Sequence, residues 1–455
     1  MKYPKEYLDE IKLRLKVSQV VGKSVKLKKR GKEFIGLSPF SNEKTPSFTV
    51  NDDKGFYHCF SSGEHGNIFD FLMKTKNYKF GEAVRTLAVD AGMQPYRFTK
   101  QDEEKQNRWK IYNTILEKYA NFCHEELMLG KYPEVLAYLN KRKTTKNEII
   151  FFKIGYASAN NNFYEKLKEE FDEKQINSSG IYYFDDRRKK YVDRFRNRII
   201  FPVKSLNSSI FALGGRTLSE TTFAKYINSP ETEVFQKRHT LYNLAGARSP
   251  AREQNAIIVA EGYLDVIALH RAGFSNSVAP LGTALTEHQI QQLWRLAQEP
   301  ILCFDGDEAG ERAARRAAER ALPRLSAGRS LRFAFLPAGQ DPDSLLANGD
   351  SKILVKAVEN PVSLIDFLWS SEIGGHPLDT PERKASLRQK LDQLTVQITD
   401  RTIREGYFAD FKKRFRDLFA LPQRSTKRAA KPNRETFHEV QLRAHTRGHD
   451  RSGDP

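Results

Sequence analysis

Cysteine is scarce in this chain of 455 residues: Cys59, Cys123 and Cys303 are too few and too scattered for a disulfide framework, which fits a reducing cytoplasm. Long hydrophobic runs are missing too. No apolar stretch approaches membrane-spanning length, which speaks against a membrane partner. Residues 1–30 alternate charged with apolar side chains, where a signal peptide needs a continuous apolar core. Negative charge is in short supply, with 57 Asp+Glu against 75 Lys+Arg and a formal net charge of +18. Such an excess points to a polyanionic partner. The length exceeds one ordinary domain and predicts about three.

Against this basic background one stretch concentrates acids at regular places. Ala256-Ile257-Ile258-Val259-Ala260 is a short β-branched run that ends abruptly in Glu261-Gly262, as a buried strand of a parallel sheet does. A helix is predicted over 263–272, with Gly273 as its stop. The pattern repeats in Ser277 to Leu281, a helix over 286–297, the strand Ile301 to Phe304, a helix over 309–322 and the strand Leu331 to Phe335. Alternating strands and helices imply right-handed crossovers and a mainly parallel sheet, whose ligands lie beyond the carboxyl ends of the strands. Those ends carry Glu261, Asp305, Asp307, Asp341 and Asp343. Converging carboxylates raise each other's pKa unless a cation neutralises them, and Mg²⁺ (or Mn²⁺), held by a few carboxylates, water and substrate phosphates, is the simplest choice. The plainer alternative is that these acids cap the following helices, which the Asp305 to Glu308 spacing supports. Asp265, one helical turn after Glu261, suits a supporting role behind the ligands.

The blocks Glu261-Gly262-Tyr263-Leu264-Asp265, Asp305-Gly306-Asp307-Glu308-Ala309-Gly310 and Asp341-Pro342-Asp343 resemble the Toprim domain, shared by primases, topoisomerases and some nucleases. A topoisomerase also needs a nucleophilic Tyr on a strand-passage domain, and no such architecture is evident.

The N-terminal region is of another kind. Phe34 to Leu37, Ser47 to Val50 and Phe56 to Phe60 read as short strands separated by turns. Exposed aromatics beside Lys and Arg suit stacking on single-stranded bases, although Phe34, Phe48 and Phe60 also suit a small core. Ser38-Pro39-Phe40-Ser41-Asn42-Glu43-Lys44-Thr45-Pro46-Ser47-Phe48 and Phe56-Tyr57-His58-Cys59-Phe60-Ser61-Ser62-Gly63 resemble the zinc-ribbon domain of bacterial replicative DNA primases of the DnaG type. The resemblance places the four zinc ligands at Ser38, Ser41, Cys59 and Ser62, of which only Cys59 is a good ligand. Zinc is therefore not expected here. His58 adjoins Cys59 in a strand and should face the other way.

Further blocks match the same family in order. They are the stretch 193–202, read as extended so that Arg194, Arg196 and Arg198 share a strand face, Leu213-Gly214-Gly215-Arg216, and 225–232. The resemblance implies that basic residues line a template and nucleotide groove, with Arg142, Arg194, Arg196, Arg216, Lys225 and Lys237 as candidates.

The expected organisation is multidomain α/β. It runs from a small β-rich ribbon-like domain (1–99) through a linker or frayed helix start (100–108) to a mixed α+β basic subdomain, the N-terminal part of the catalytic core (109–254). A Toprim domain with a mainly parallel sheet (255–345), a helical subdomain (346–421) and a disordered tail (422–455) follow. The resemblance implies a DNA-templated RNA polymerase that makes short primers on single-stranded DNA from ribonucleoside triphosphates, acting as a monomer. It also implies a replicative helicase as partner, docked through a further helical domain that this sequence does not contain. The lost zinc ligands and that missing domain motivate the alternative of a degenerate single-strand binding protein.

Overall fold

The computed structural model describes residues 3–419 apart from 32, 220, 221, 223, 233, 234, 375 and 376. The tail expected over 422–455 lies outside the described residues. The chain divides between Gln236 and Lys237 into two compact units.

The first unit opens with an antiparallel five-stranded sheet in sequence order: β1 (Lys28–Arg30), β2 (Glu33–Gly36), β3 (Phe48–Asn51), β4 (Phe56–Cys59) and β5 (His65–Gly66). Alternation along β3 and β4 sends Phe48, Val50, Tyr57 and Cys59 inward, all fully buried. The helices Ile68–Thr75 and Phe80–Asp90 complete this core with Phe71 and Leu87, the first of them capped by the Asn67 carbonyl on Phe69 N at 2.8 Å. Phe48 is thus core, whereas Phe60 is 70% exposed in the turn after β4.

Residues 100–108, expected as a linker or a frayed helix start, are the start of a helix, Lys100–Met128. Thr99 and Asp102 form a capping box that nucleates it, and its opening turns stay polar because no core lies beneath them. Farther along, Ile115, Leu116, Tyr119 and Cys123 belong to the core built on an antiparallel sheet of order β11-β10-β9-β6. Its strands are β6 (Gly155–Ala157), β9 (Arg198–Lys204), β10 (Ile210–Thr217) and β11 (Tyr226–Asn228), while β7 (Tyr182–Asp185) and β8 (Lys190–Asp193) form a separate hairpin.

The second unit is built on a six-stranded sheet of order β12-β14-β13-β15-β16-β17. The central strands β14 (Ser277–Pro280), β13 (Ile258–Val259), β15 (Ile301–Phe304) and β16 (Arg332–Phe335) run parallel. The edges β12 (Leu241–Tyr242) and β17 (Val362–Ser363) are antiparallel. The helices Tyr263–Arg271, Glu287–Leu293 and Glu308–Ala321 make the crossovers. The sheet therefore begins before the boundary expected at 255. The C-terminal helices Leu364–Ile373, Pro381–Val396 and Arg401–Phe419 are not a separate body either, because Phe367, Leu391 and Phe411 share one core with Val259, Leu302 and Phe333. Each such side chain stabilises by roughly 1.5–3 kcal/mol when fully buried, which ties these helices to the sheet. Among the described residues, no helix is long and apolar enough to cross a membrane.

Candidate active site

The acids of the second unit meet because the loops that carry them are stapled together. Pairing continues one residue past β13, where Ala260 N donates to Val278 O at 2.9 Å, and so fixes Glu261 at the strand end. Asp305, following β15, donates its backbone N–H to Glu261 Oε1 at 3.1 Å. Gly306 N then donates to Gln340 O (2.9 Å) and Gly339 N to Gly306 O (2.8 Å), joining the loops after β15 and β16. A Cβ at Gly306 would stand 1.9 Å from Pro337 O, so only glycine allows this approach. The ends of three parallel strands thus present Glu261, Asp305, Asp307 and Asp341 on one edge of the sheet.

Capping is part of the answer for two of them. Asp307 Oδ1 accepts from Gly310 N at 2.7 Å at the start of Glu308–Ala321, and Asp341 Oδ1 accepts from Ser344 N at the start of Pro342–Asn348. The Asp305 to Glu308 spacing named the wrong cap, because Asp307 occupies that position. Asp305 is left with a different task. Its Oδ1 is buried without a hydrogen-bond partner. Burial, then Asp265, Glu261, Asp341 and Asp307, push its pKa up to about 8. Glu261 is raised by burial against the Asp305 N–H that lowers it; Asp307 and Asp341 add to the rise and Arg316 opposes it. Asp265, expected behind the ligands, is the strongest charge acting on Asp305, and a Cβ on Gly262 would lie 3.1 Å from its Oδ2. Asp343 is 2% exposed, in the first turn of Pro342–Asn348.

Among the described residues, no three His, Cys, Asp or Glu side chains form a ready-made metal cage. For Mg²⁺ this donor chemistry still fits: the ion takes one or two carboxylates and fills its other positions with water and phosphate oxygens. The orphaned Asp305 oxygen, the mutual repulsion and the close-approach glycine all suit it.

The basic candidates of the first unit fall into two groups, each built around tyrosine. The Arg142 and Arg216 guanidinium carbons lie 5.0 and 5.3 Å from the Tyr138 ring centroid, and Arg216 is also 5.2 Å from that of Tyr226, the neighbour of Lys225. Arg216 is 6% exposed, with its Nε buried and unpartnered, while Lys225 is exposed. In the second group, Arg194 lies 5.6 Å from the Tyr183 ring and Arg196 donates to the Tyr183 hydroxyl at 3.2 Å. The expected strand face of Arg194, Arg196 and Arg198 does not exist. Residues 194–197 form a turn, closed by Phe195 N donating to Asp193 Oδ1 at 2.7 Å and by Asn197 at a φ of 56°. Arg198 begins β9, buried, and donates to the Ala224 and Lys225 carbonyls. Lys237 opens the second unit in a 3₁₀ turn, Lys237–His239. Sequence reasoning missed Tyr138, Tyr183 and Tyr226; the available signal was a tyrosine four residues before Arg142 and another beside Lys225. It also missed Arg316, the cation that opposes the rise of Glu261.

The positions expected as vestigial zinc ligands do come together. Cys59 Sγ lies 3.1 Å from Ser38 Oγ and 3.3 Å from Ser61 Oγ, and the Ser61 and Ser41 hydroxyl oxygens are 2.7 Å apart. Ser62 follows in the turn after β4 and helps hold the Cys59 thiol below its ordinary pKa.

Comparison with known proteins agrees with this geometry. Residues 3–104 match the CHC2 zinc finger family, residues 122–248 the N-terminal domain of the DNA primase catalytic core, and residues 255–331 the Toprim domain. The DNA primase of Rickettsia felis is 36% identical over 414 residues, covering 90% of this chain and 68% of the relative. That of Escherichia coli K12 is 37% identical over 411 residues, covering 88% and 69%. Among solved structures, the zinc-binding and RNA polymerase domains of Aquifex aeolicus primase align with a TM-score of 0.58 at 26% identity over 91% of this chain and 97% of that one. A DnaG primase catalytic domain bound to ssDNA aligns at 0.62 and 33% identity, over 68% and 97%. The alternative of a degenerate binding protein is not favoured. With three primase regions in order and relatives matched over most of this sequence, the chain belongs to the DnaG-type DNA primases, which are DNA-directed RNA polymerases acting in DNA replication.

Proposed function

We propose that the chain builds short RNA primers on single-stranded DNA from ribonucleoside triphosphates, with its chemistry at Glu261, Asp305, Asp307 and Asp341. The observation that carries this reading is the convergence of those acids at three strand ends, where Asp305 keeps one carboxylate oxygen buried and unpartnered. Glu261, Asp305, Asp307, Asp341 and Asp343 would hold Mg²⁺ or Mn²⁺, with Asp265 supporting them from behind. When bound, the metal lowers the pKa of the attacking 3′-hydroxyl and neutralises charge on the reacting phosphates. As an alternative to holding the metal, Glu261, its pKa raised by burial, suits acceptance of the hydroxyl proton. The N-termini of Glu308–Ala321 and Pro342–Asn348 direct partial positive charge at the same edge, which steadies anionic groups there.

In the first unit, Tyr138 and Tyr226 orient the Arg142 and Arg216 guanidiniums, and Tyr183 orients Arg194 and Arg196. A cation held over an aromatic face is fixed in direction. These groups and Lys225 would hold template or triphosphate, and Lys237, in the second unit, is a further candidate. The test is ribonucleotide incorporation on a single-stranded DNA template with and without Mg²⁺, beside Asp305→Ala and Asp307→Ala. Loss of synthesis with retained template binding is expected; synthesis by either variant at the native rate overturns the assignment.

A further inference from the structure

The family's N-terminal domain is named for zinc, and the residues here do not fit one. A structural zinc site needs four good ligands, nearly always thiolate or imidazole, and Cys59 is the only such side chain at the four ligand positions. The nearby imidazoles point elsewhere. His58 follows the alternation of β4 away from Cys59, and its ring lies 4.4 Å from that of Phe60 and 6.0 Å from that of His65. What occupies the place of the metal is a closed circuit of hydrogen bonds. Glu43 Oε1 accepts from Ser38 N at 2.7 Å and from Ser47 N at 3.0 Å, while Oε2 accepts from the Ser47 hydroxyl at 2.6 Å. The Ser47 and Ser61 hydroxyl oxygens are 2.9 Å apart, Ser61 meets Cys59, and Cys59 meets Ser38, whose Oγ also accepts from Phe40 N and Ser41 N. The circuit returns to Glu43 through the Ser38 backbone.

We propose that this ring, Ser38–Cys59–Ser61–Ser47–Glu43, replaces zinc as the cross-link between the 38–47 loop and the turn after β4, so that the ribbon folds without metal. Two observations give the proposal its direction. The ring joins the same two chain segments that the four ligand positions lie on, so it performs the same mechanical task. It uses Ser61 and Ser47, which are not ligand positions, so it is a different construction and not an empty site. Below it, Phe40, Phe48, Tyr57 and Phe71 pack ring against ring, with Phe48 and Tyr57 centroids 5.3 Å apart and Tyr57 and Phe71 5.6 Å apart, giving the loops an apolar floor that needs no ion. The turn it holds displays Phe60, 70% exposed, with its ring against that of His58.

The test uses the full chain, purified from zinc-supplemented cells, and reads metal content together with amide hydrogen exchange across residues 36–66. Far less than one zinc per chain is expected, with protection unchanged by a zinc chelator. Stoichiometric zinc, or protection lost on chelation, overturns the proposal. Cys59→Ser separates the two constructions, because a hydroxyl continues the ring and removes the only thiolate. Protection should survive it, and loss of protection in this variant counts against the ring. Glu43→Gln keeps the shape but weakens the acceptor. Exchange at Ser38 and Ser47 should quicken by at least ~10-fold, and an unchanged rate would remove Glu43 from the assignment.

Discussion

The ribbon ring and the acid edge are both places where this family uses a metal, and in this chain their electrostatics run in opposite directions. At the acid edge, burial and like charges push Asp305 up to about 8 and leave one of its oxygens without a partner. In the ribbon, the Ser38, Ser61 and Ser62 hydroxyls outweigh burial and hold the Cys59 thiol down to about 6, while the Ser47 hydroxyl leads a set of donors that hold Glu43 down to about 2. One site stores anionic charge that protein groups do not satisfy. The other satisfies every anion from within. A polar cluster built for a cation is recognised by that deficit, since donors that already serve the acids leave nothing for an ion to gain.

The largest effect should come from breaking the unsatisfied side. Asp305→Ala should lower primer synthesis by at least ~10²-fold, as losses of transition-state charge stabilisation do, with template affinity held within a factor of about two, since the cations carry it. Primer yield and filter binding on one template measure both. Metal removal should draw the same line between the regions. Chelation should stop synthesis, and Mg²⁺ alone, with no zinc returned, should restore it in full. A requirement for added zinc would erase the contrast.

Gly306→Ala strikes the acid edge without touching a carboxylate. The new Cβ meets Pro337 O at 1.9 Å, so the loop carrying Asp341 must move. A loss of about 1–3 kcal/mol in stability is expected from overpacking, together with a fall in kcat larger than any change in triphosphate KM. Thermal unfolding and steady-state kinetics together decide it, and a variant with native kcat would show that the staple between the loops is dispensable.

The pH dependence should carry opposite signs in the two regions. Asp305 has a folded pKa above its unfolded one, so its favourable contribution is complete below about pH 4 and is lost as pH rises through about 8. Cys59 has a folded pKa below its unfolded one, so its contribution is complete above about pH 8.5 and lost as pH falls through about 6. Between pH 6 and 8, without Mg²⁺, exchange protection corrected for intrinsic rates should rise across 36–66 and fall around 305–307. Added Mg²⁺ should flatten only the second trend. A common sign in both regions would mean that global stability, not local charge, governs the exchange.

The second unit was the more legible of the two in the sequence. Runs such as Ile301 to Phe304 end in acids, and both the parallel sheet and the convergence of Glu261, Asp305 and Asp307 follow from that pattern. The first unit misled where local chemistry overrode periodicity. Arg194, Arg196 and Arg198 alternate like a strand, but the Asp193 carboxylate accepts Phe195 N, the Tyr119 hydroxyl and Asn161 Nδ2 and bends the chain into a turn. The polar run at 100–108 has no helical stripe, so a linker and a frayed helix start both stayed open, and the Thr99–Asp102 box makes it helix. The ribbon ring was not visible either, because serine at a ligand position reads as loss until Glu43, Ser47 and Ser61 are seen around it.

The tyrosines were overlooked for a related reason: each acts through an arginine and has no chemistry of its own. Tyr138→Leu removes the ring shared by Arg142 and Arg216 while keeping an apolar side chain on its helix. Neither charge is lost, so long-range attraction of DNA should persist, and only the direction of the guanidiniums should loosen. With cation–π contacts worth about 0.5–1 kcal/mol at partly exposed sites, template affinity should weaken by roughly 2–5-fold. The slope of log affinity against log salt should stay unchanged, because the number of phosphates neutralised is the same. Arg142→Ala is the matching control: it should weaken binding and also make that slope shallower by about one counterion. If Tyr138→Leu flattens the slope too, the ring holds Arg142 or Arg216 against the phosphates themselves, and its part in binding is greater than orientation.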